Sequence, residues 1–169
     1  MIKYAITNKF ELNKFDNLKE ADFILYRDKN NSNYAQNASI FISQKDKFRA
    51  KFIIHNDINL ALNLNADGIH FSSDKLNLLP LAPLNLIKFA SVHNENEIKK
   101  AEINGANYLI FSPIFDTPNK KAVGLKALEN ALNLTNLPII ALGGILKNEQ
   151  IKAVLECGAV GFASIRYFD

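Results

Sequence analysis

Apolar residues fall along this chain in short continuous runs. The runs are Ile2–Thr7, Phe23–Tyr26, Phe52–His55, Gly68–Phe71, Ile87–Val92, Tyr108–Ser112, Ile139–Leu142 and Gly161–Ile165. A strand that faces water on one side alternates apolar and polar residues. One covered on both faces stays apolar at successive positions, so this pattern predicts buried strands of a parallel sheet. Between the runs the spacing turns helical. Segments 31–47, 58–64, 94–104, 124–134 and 147–157 place residues such as Ile98 and Ala101, Leu125 and Leu128, or Ile151, Val154 and Leu155 on one face. Gly105 and Gly158 follow two of these segments, where a left-handed helix cap is wanted. Pro138 sits just before the seventh run, where its missing N–H does little harm.

Strand alternating with helix implies βαβ units and an α/β fold. Eight such strands predict closure into a (β/α)8 barrel, the TIM barrel, as one domain over residues 1–169. An open doubly wound sheet is the alternative. Typical barrels take about 250 residues, so economies are expected. Only Asp169 follows Arg166–Tyr167–Phe168, which predicts that the eighth outer helix is missing, and the segments after strands three and four are brief. Apolar surface left open on strands eight and one predicts a homodimer.

Composition narrows the function classes. Lys and Arg outnumber Asp and Glu by 20 to 17, a net charge of +3. That is too mild for a nucleic-acid binder, which gathers many cations on one face, but it suits an anionic metabolite. The single cysteine, Cys157, excludes an internal disulfide, and no Cys/His metal spacing occurs. No leader segment is read at the start, and no run approaches the roughly 18 apolar residues of a membrane span. A cytoplasmic location is expected.

In a parallel barrel the functional groups collect at the carboxyl ends of the strands. Here strand one ends in Thr7–Asn8, strand two in Arg27 and Lys29, and strand three in His55–Asn56–Asp57. Strands four, five and six end in His70, His93 and Ser112. Strand seven ends in Gly143–Gly144 and strand eight in Ser164–Ile165–Arg166. All three histidines therefore fall at such ends. Glycines after a strand let backbone approach a ligand, and a following helix start favours an anion. Loops after strands seven and eight often form the phosphate site of such barrels, so a phosphate is expected at Gly143–Gly144. The loop after strand six, residues 112–121, is long and aperiodic and reads as a lid carrying Thr117 and Lys120.

The ordered set Tyr4–Ala5–Ile6–Thr7, Tyr26–Arg27–Asp28–Lys29, Ala66–Asp67–Gly68–Ile69–His70 and Ser91–Val92–His93 continues with Gly105–Ala106–Asn107–Tyr108 and Ser112–Pro113–Ile114–Phe115–Asp116–Thr117. It ends with Pro138–Ile139–Ile140–Ala141–Leu142–Gly143–Gly144–Ile145 and Gly158–Ala159–Val160–Gly161. The series resembles the thiamine-phosphate synthase / TenI family across nearly the whole chain. The resemblance implies a TIM barrel that binds a phosphorylated thiazole or thiamine phosphate. In the synthase branch a pyrimidine pyrophosphate loses its pyrophosphate, and the thiazole nitrogen captures the cation. By the same resemblance Arg27, Lys29 and Ser91 match the pyrophosphate and pyrimidine contacts. Thr117 and Lys120 match the lid contacts, and Gly144, Ile165 and Arg166 match the backbone phosphate cradle beside Gly143.

The departures fall where the synthase binds magnesium. His55 and Asn56 take the places of an Asn-Asp pair, with Asn56 left as a substrate-binding residue. Lys75 takes the place of a metal-ligating Asp, and an ammonium cannot ligate magnesium. Asp57 or Asp74 would substitute only through a one-residue shift. These losses lead to an expectation of TenI-like, metal-free thiazole isomerisation, with His93 or His55 as the proton-transfer residue and no metal or other cofactor. Two alternatives stand beside it. One is thiamine-phosphate synthase itself, with Mg2+; the other is a non-catalytic carrier or regulator that binds thiamine phosphate.

Overall fold

The computed structural model describes residues 1–12 and 16–169. Eight strands are present: β1 (Ile2–Thr7), β2 (Phe23–Tyr26), β3 (Lys51–His55), β4 (Gly68–Phe71), β5 (Ile87–Val92), β6 (Tyr108–Phe111), β7 (Ile139–Leu142) and β8 (Gly161–Ser164). Each pairs in parallel with its neighbour, and β8 returns to β1, so the sheet closes into a barrel in sequence order. Among the described residues five α-helices lie outside it: α1 (Tyr34–Ile42), α2 (Ile58–Asn63), α3 (Glu95–Ile103), α4 (Gly124–Leu132) and α5 (Asn148–Glu156).

The continuous apolar runs have the cause inferred for them. Inward-facing residues fill the lumen, where Tyr4, Phe23, Leu25, Ile53, Phe89, Ile110 and Ile140 form one cluster. Their neighbours in sequence face outward and pack under the helices in a second, larger cluster that includes Ile24, Phe52, Ile54, Ala90 and Phe162. Truncating a lumen ring such as Phe89 to alanine would cost about 3–5 kcal/mol.

Three segments differ from the sequence reading. Residues 31–47 give a nine-residue helix, α1, and then a separate 3-10 turn, Lys45–Lys47. The stretch after β4 folds as a 3-10 helix, Ser73–Leu81, which buries Leu76 and Leu79 although Pro80 lies inside it. It takes the place of an α-helix there, and the tighter 3-10 turn explains why no 3.6-residue period was visible. After β8, residues 165–169 contain no helix, yet the outside of β8 is covered. Phe168 stacks on Phe162 at 5.9 Å and Tyr167 meets it edge-on at 5.0 Å, leaving Phe162 buried. Beside it a groove lined by Met1, Ile151, Leu155 and Tyr167 stays open. Among the described residues, no helix is long and apolar enough to cross a membrane.

Candidate functional site

A cavity of about 670 Å³ opens at the carboxyl ends of the strands. It gathers ten of the residues singled out from sequence. Arg27 and Lys29 come from the end of β2, Ser91 and His93 from β5, and Thr117 and Lys120 from the loop after β6. Gly143 and Gly144 follow β7, and Ile165 and Arg166 follow β8. His55 and Asn56 are not part of its lining.

The β2 end is held by a phenol on the next helix. Tyr34 Oη donates to the Tyr26 carbonyl at 3.0 Å and accepts from the His55 N–H at 3.1 Å. The two strand tips that carry Arg27 and His55 are thus tied together. Burial lowers the Arg27 pKa, and the Lys29 pKa is lowered chiefly by the Arg27 charge, with burial and Lys120 adding to it. Arg27 and Lys29 are thus held close without enough negative charge to balance them. Among the lining residues the cations are Arg27, Lys29, Lys120 and Arg166, and the only carboxylate is Asp74.

Asn56 works at one remove. Its backbone is left-handed (φ 58°), a conformation asparagine tolerates. Its side chain grips Ser72: Nδ2 donates to Ser72 Oγ at 3.0 Å, and Oδ1 accepts from the Ser72 N–H at 2.9 Å. Ser72 Oγ in turn donates to Asp74 at 2.5 Å, which lowers the Asp74 pKa. Asp57 is spent elsewhere. Its carboxylate caps α2 by accepting from the Leu60 N–H at 2.9 Å, and it faces a different cavity. Lys75 is exposed and does not line the site. Of the two carboxylates considered for a lost metal ligand, Asp74 is the one at the cavity. No group of three or more His, Cys, Asp or Glu placed to hold a metal ion occurs among the described residues. Magnesium is often held by one or two carboxylates together with substrate phosphates, so this donor set fits only an ion carried mainly by its ligand.

The three imidazoles differ. His93 Nδ1 lies 2.7 Å from the Ser112 carbonyl, to which it donates its hydrogen. His55 is pushed down to about 4, by burial first and then by Arg27 and Lys29. His70 is 2% exposed and held well below its ordinary pKa, again mainly by burial. It bonds to Tyr4 on one side and Ser91 on the other.

The glycine pair has a packing reason beyond ligand approach. Gly143 and Gly144 have φ of 108° and 67°. A Cβ on Gly143 would lie 2.7 Å from Pro113 Cα, and one on Gly144 would lie 2.5 Å from the Asp116 carbonyl oxygen. The lid is laced to this turn by the Ile114 and Phe115 N–H groups, which donate to the Leu142 and Gly143 carbonyls at 2.9 Å. Gln150, which sequence reading passed over, braces the other side. Its Oε1 accepts from the Leu146 and Lys147 N–H groups, and its Nε2 donates to the Gly144 carbonyl. Its place at the third position of α5 was the available signal. The lid is also more ordered than an aperiodic loop suggests. Thr117 and Lys120 bridge through their backbones, and Thr117 Oγ1 accepts from the Lys120 N–H at 3.1 Å. Asp116 accepts from the Ala122 N–H at 2.7 Å.

Known proteins align with this arrangement. A family model described as thiamine monophosphate synthase matches residues 14–168. A thiamine-phosphate synthase of Methanococcus maripaludis is 37% identical over 125 residues, covering 70% of this chain and 59% of that protein. One of Pyrococcus horikoshii is 34% identical over 126 residues, covering 71% and 60%. The chain thus spans about 60% of the length of these relatives. A solved structure named as thiamine phosphate pyrophosphorylase from Pyrococcus furiosus superposes with a TM-score of 0.81 at 26% identity, covering 97% of this chain and 85% of that one.

Proposed function

The chain belongs to the thiamine monophosphate synthase family, and on that premise we propose that it is a thiamine-phosphate synthase, joining a pyrimidine pyrophosphate to a thiazole phosphate. The observation that carries this reading is the distribution of cations around one cavity. Arg27 and Lys29 stand at the β2 end, Arg166 at the β8 end beside the glycine turn, and Lys120 on the lid. One monophosphate needs one such station; two phosphorylated substrates need two.

The chemistry suits these groups. The bond from the pyrimidine methylene carbon to the pyrophosphate oxygen breaks, and its electron pair leaves with the pyrophosphate. The thiazole nitrogen lone pair then forms the new C–N bond. Negative charge grows on the leaving oxygen, where Arg27, Lys29 and Lys120 stabilise it without reorganising. No proton has to move, so imidazoles kept neutral by burial are no handicap. Gly143–Gly144 and Ile165–Arg166 would anchor the thiazole phosphate. Asp74 would hold magnesium, which would supply further charge neutralisation on the pyrophosphate.

Metal-free thiazole isomerisation has less behind it. The relatives described above are named as synthases or a pyrophosphorylase. The test supplies both phosphorylated substrates with and without Mg2+ and follows thiamine phosphate and pyrophosphate together. We expect the two products in equal amounts, with Asp74→Asn raising the Mg2+ concentration required. Folded protein that forms neither, yet aromatises a thiazole carboxylate phosphate without metal, would overturn the reading in favour of the isomerase.

A further inference from the structure

Three strands contribute to a hydrogen-bonded chain that runs from the barrel lumen to the cavity wall. Tyr4 on β1 is fully buried, stacked on Phe89 at 4.9 Å between ring centroids. Its Oη lies 2.8 Å from His70 Nδ1, on β4. On the other side of the ring, His70 Nε2 lies 2.7 Å from Ser91 Oγ, on β5, and Ser91 lines the cavity.

Proton counting sets the direction of this chain. A phenol has one proton, and His70 Nδ1 is the acceptor within reach of this one. If Nδ1 carried its own hydrogen, the phenol proton would be left in an apolar lumen with no acceptor, a desolvation cost of about 1–3 kcal/mol. Tyr4 therefore donates, and Nδ1 is the bare nitrogen. Nε2 must then carry the hydrogen of the neutral ring, and it donates to Ser91 Oγ. With an oxygen lone pair engaged, the hydroxyl proton of Ser91 is left to point at the cavity.

We propose that Tyr4 is a positioning residue which, through the tautomer it imposes on His70, commits Ser91 to donate a hydrogen bond to an anionic ligand oxygen in the cavity. A free serine hydroxyl turns either way; this one is oriented before the ligand arrives. The ligand half of the proposal rests on the reading of the site given above. The tautomer half does not, and it can fail alone.

The test therefore uses binding and nitrogen chemistry rather than turnover. Long-range proton–nitrogen NMR of the parent protein should show His70 neutral, with hydrogen on Nε2 and none on Nδ1. Hydrogen on Nδ1, or on both nitrogens, overturns the proposal whatever any variant does. Tyr4→Phe keeps the ring stack and removes the O–H. It should mix the two His70 tautomers and weaken binding of inorganic pyrophosphate by about tenfold, the scale of one hydrogen bond. Ser91→Ala should weaken it to a similar degree, and adding Tyr4→Phe to Ser91→Ala should bring no further loss. Losses that simply add would mean that Tyr4 acts by packing alone and would overturn the proposal. Pyrophosphate binding with this coupling, in a protein that makes no thiamine phosphate, would leave the proposal standing and remove the synthase reading instead.

Discussion

The two ends of the barrel both gather cations but treat them in opposite ways. At the amino end, Lys3, Lys19, Arg49 and Lys51 share a surface pocket with Glu20 and Asp22, and Lys3 has its own partner. Lys3 Nζ sits 2.7 Å from Glu20, and that contact raises the lysine pKa and lowers the glutamate pKa. At the carboxyl end the Arg27 and Lys29 pKa values are both lowered, that of Arg27 by burial and that of Lys29 chiefly by the Arg27 charge, with Asp74 as the one lining carboxylate. A charge paired as Lys3 is with Glu20 stays quiet, solvated and weakly stabilising. Charges crowded together without counter-charge are costly until an anion arrives, which is how a binding site differs from a charged surface.

The sharpest way to break this contrast is to remove one cation at each end. Arg27→Ala should lower kcat/KM for thiamine phosphate formation by about a hundredfold or more, the usual scale for losing a charge-stabilising donor. Lys3→Ala should leave activity close to that of the parent. Comparable losses from both would mean that the two ends do not differ in role.

Next in size is the backbone. Gly144→Ala puts a Cβ 2.5 Å from the Asp116 carbonyl at a φ of 67° and should cost on the order of 3 kcal/mol in chemical denaturation. Gly105→Ala, at the opposite end of the strands, meets nothing within 4 Å despite a φ of 85° and should cost only about 1 kcal/mol. Equal losses would show that conformation alone, and not lid packing, requires glycine at 144.

The most gradual effect is the response to acid. His55 titrates near 4 in the fold against 6.5 for an unperturbed histidine. Between those values the unfolded chain binds more protons, so stability is whole above about pH 6.5 and falls as pH drops toward 4. The buried His70 adds in the same direction. Melting temperatures across that window should decline, and His55→Gln should flatten the decline. An unchanged slope in the variant would assign the acid response to other groups.

Much of this could be read from the chain before any coordinates. The eight apolar runs are the eight strands, with ends moved by a residue at Lys51, Phe111 and Ser164. Both faces of each strand are buried, and that demand is written directly in residue type. The 3-10 helix Ser73–Leu81 was not legible, because its buried residues Leu76 and Leu79 follow no α-helical period and Pro80 argues against a helix. Within the site, residues whose backbone position alone brings them to the rim, such as Arg27, Lys120 and Gly144, were visible from strand order. His55 and Asn56 were assigned to the cavity by the same logic but lie just behind its lining. One lies beside the His70 ring at 6.1 Å between centroids, and the other is bound to Ser72.

What the chain determined alone was periodicity and local chemistry: which segments must be buried, where the backbone must turn left-handed, and which ends carry charge. Those properties belong to neighbours in sequence. The Tyr4–His70–Ser91 chain was brought together only by closure of the barrel. Tyr4, His70 and Ser91 lie 66 and 21 residues apart along the chain and within 2.8 Å in space. The same closure made Asp74 a cavity carboxylate, and left four cations around one opening with too little negative charge to balance them.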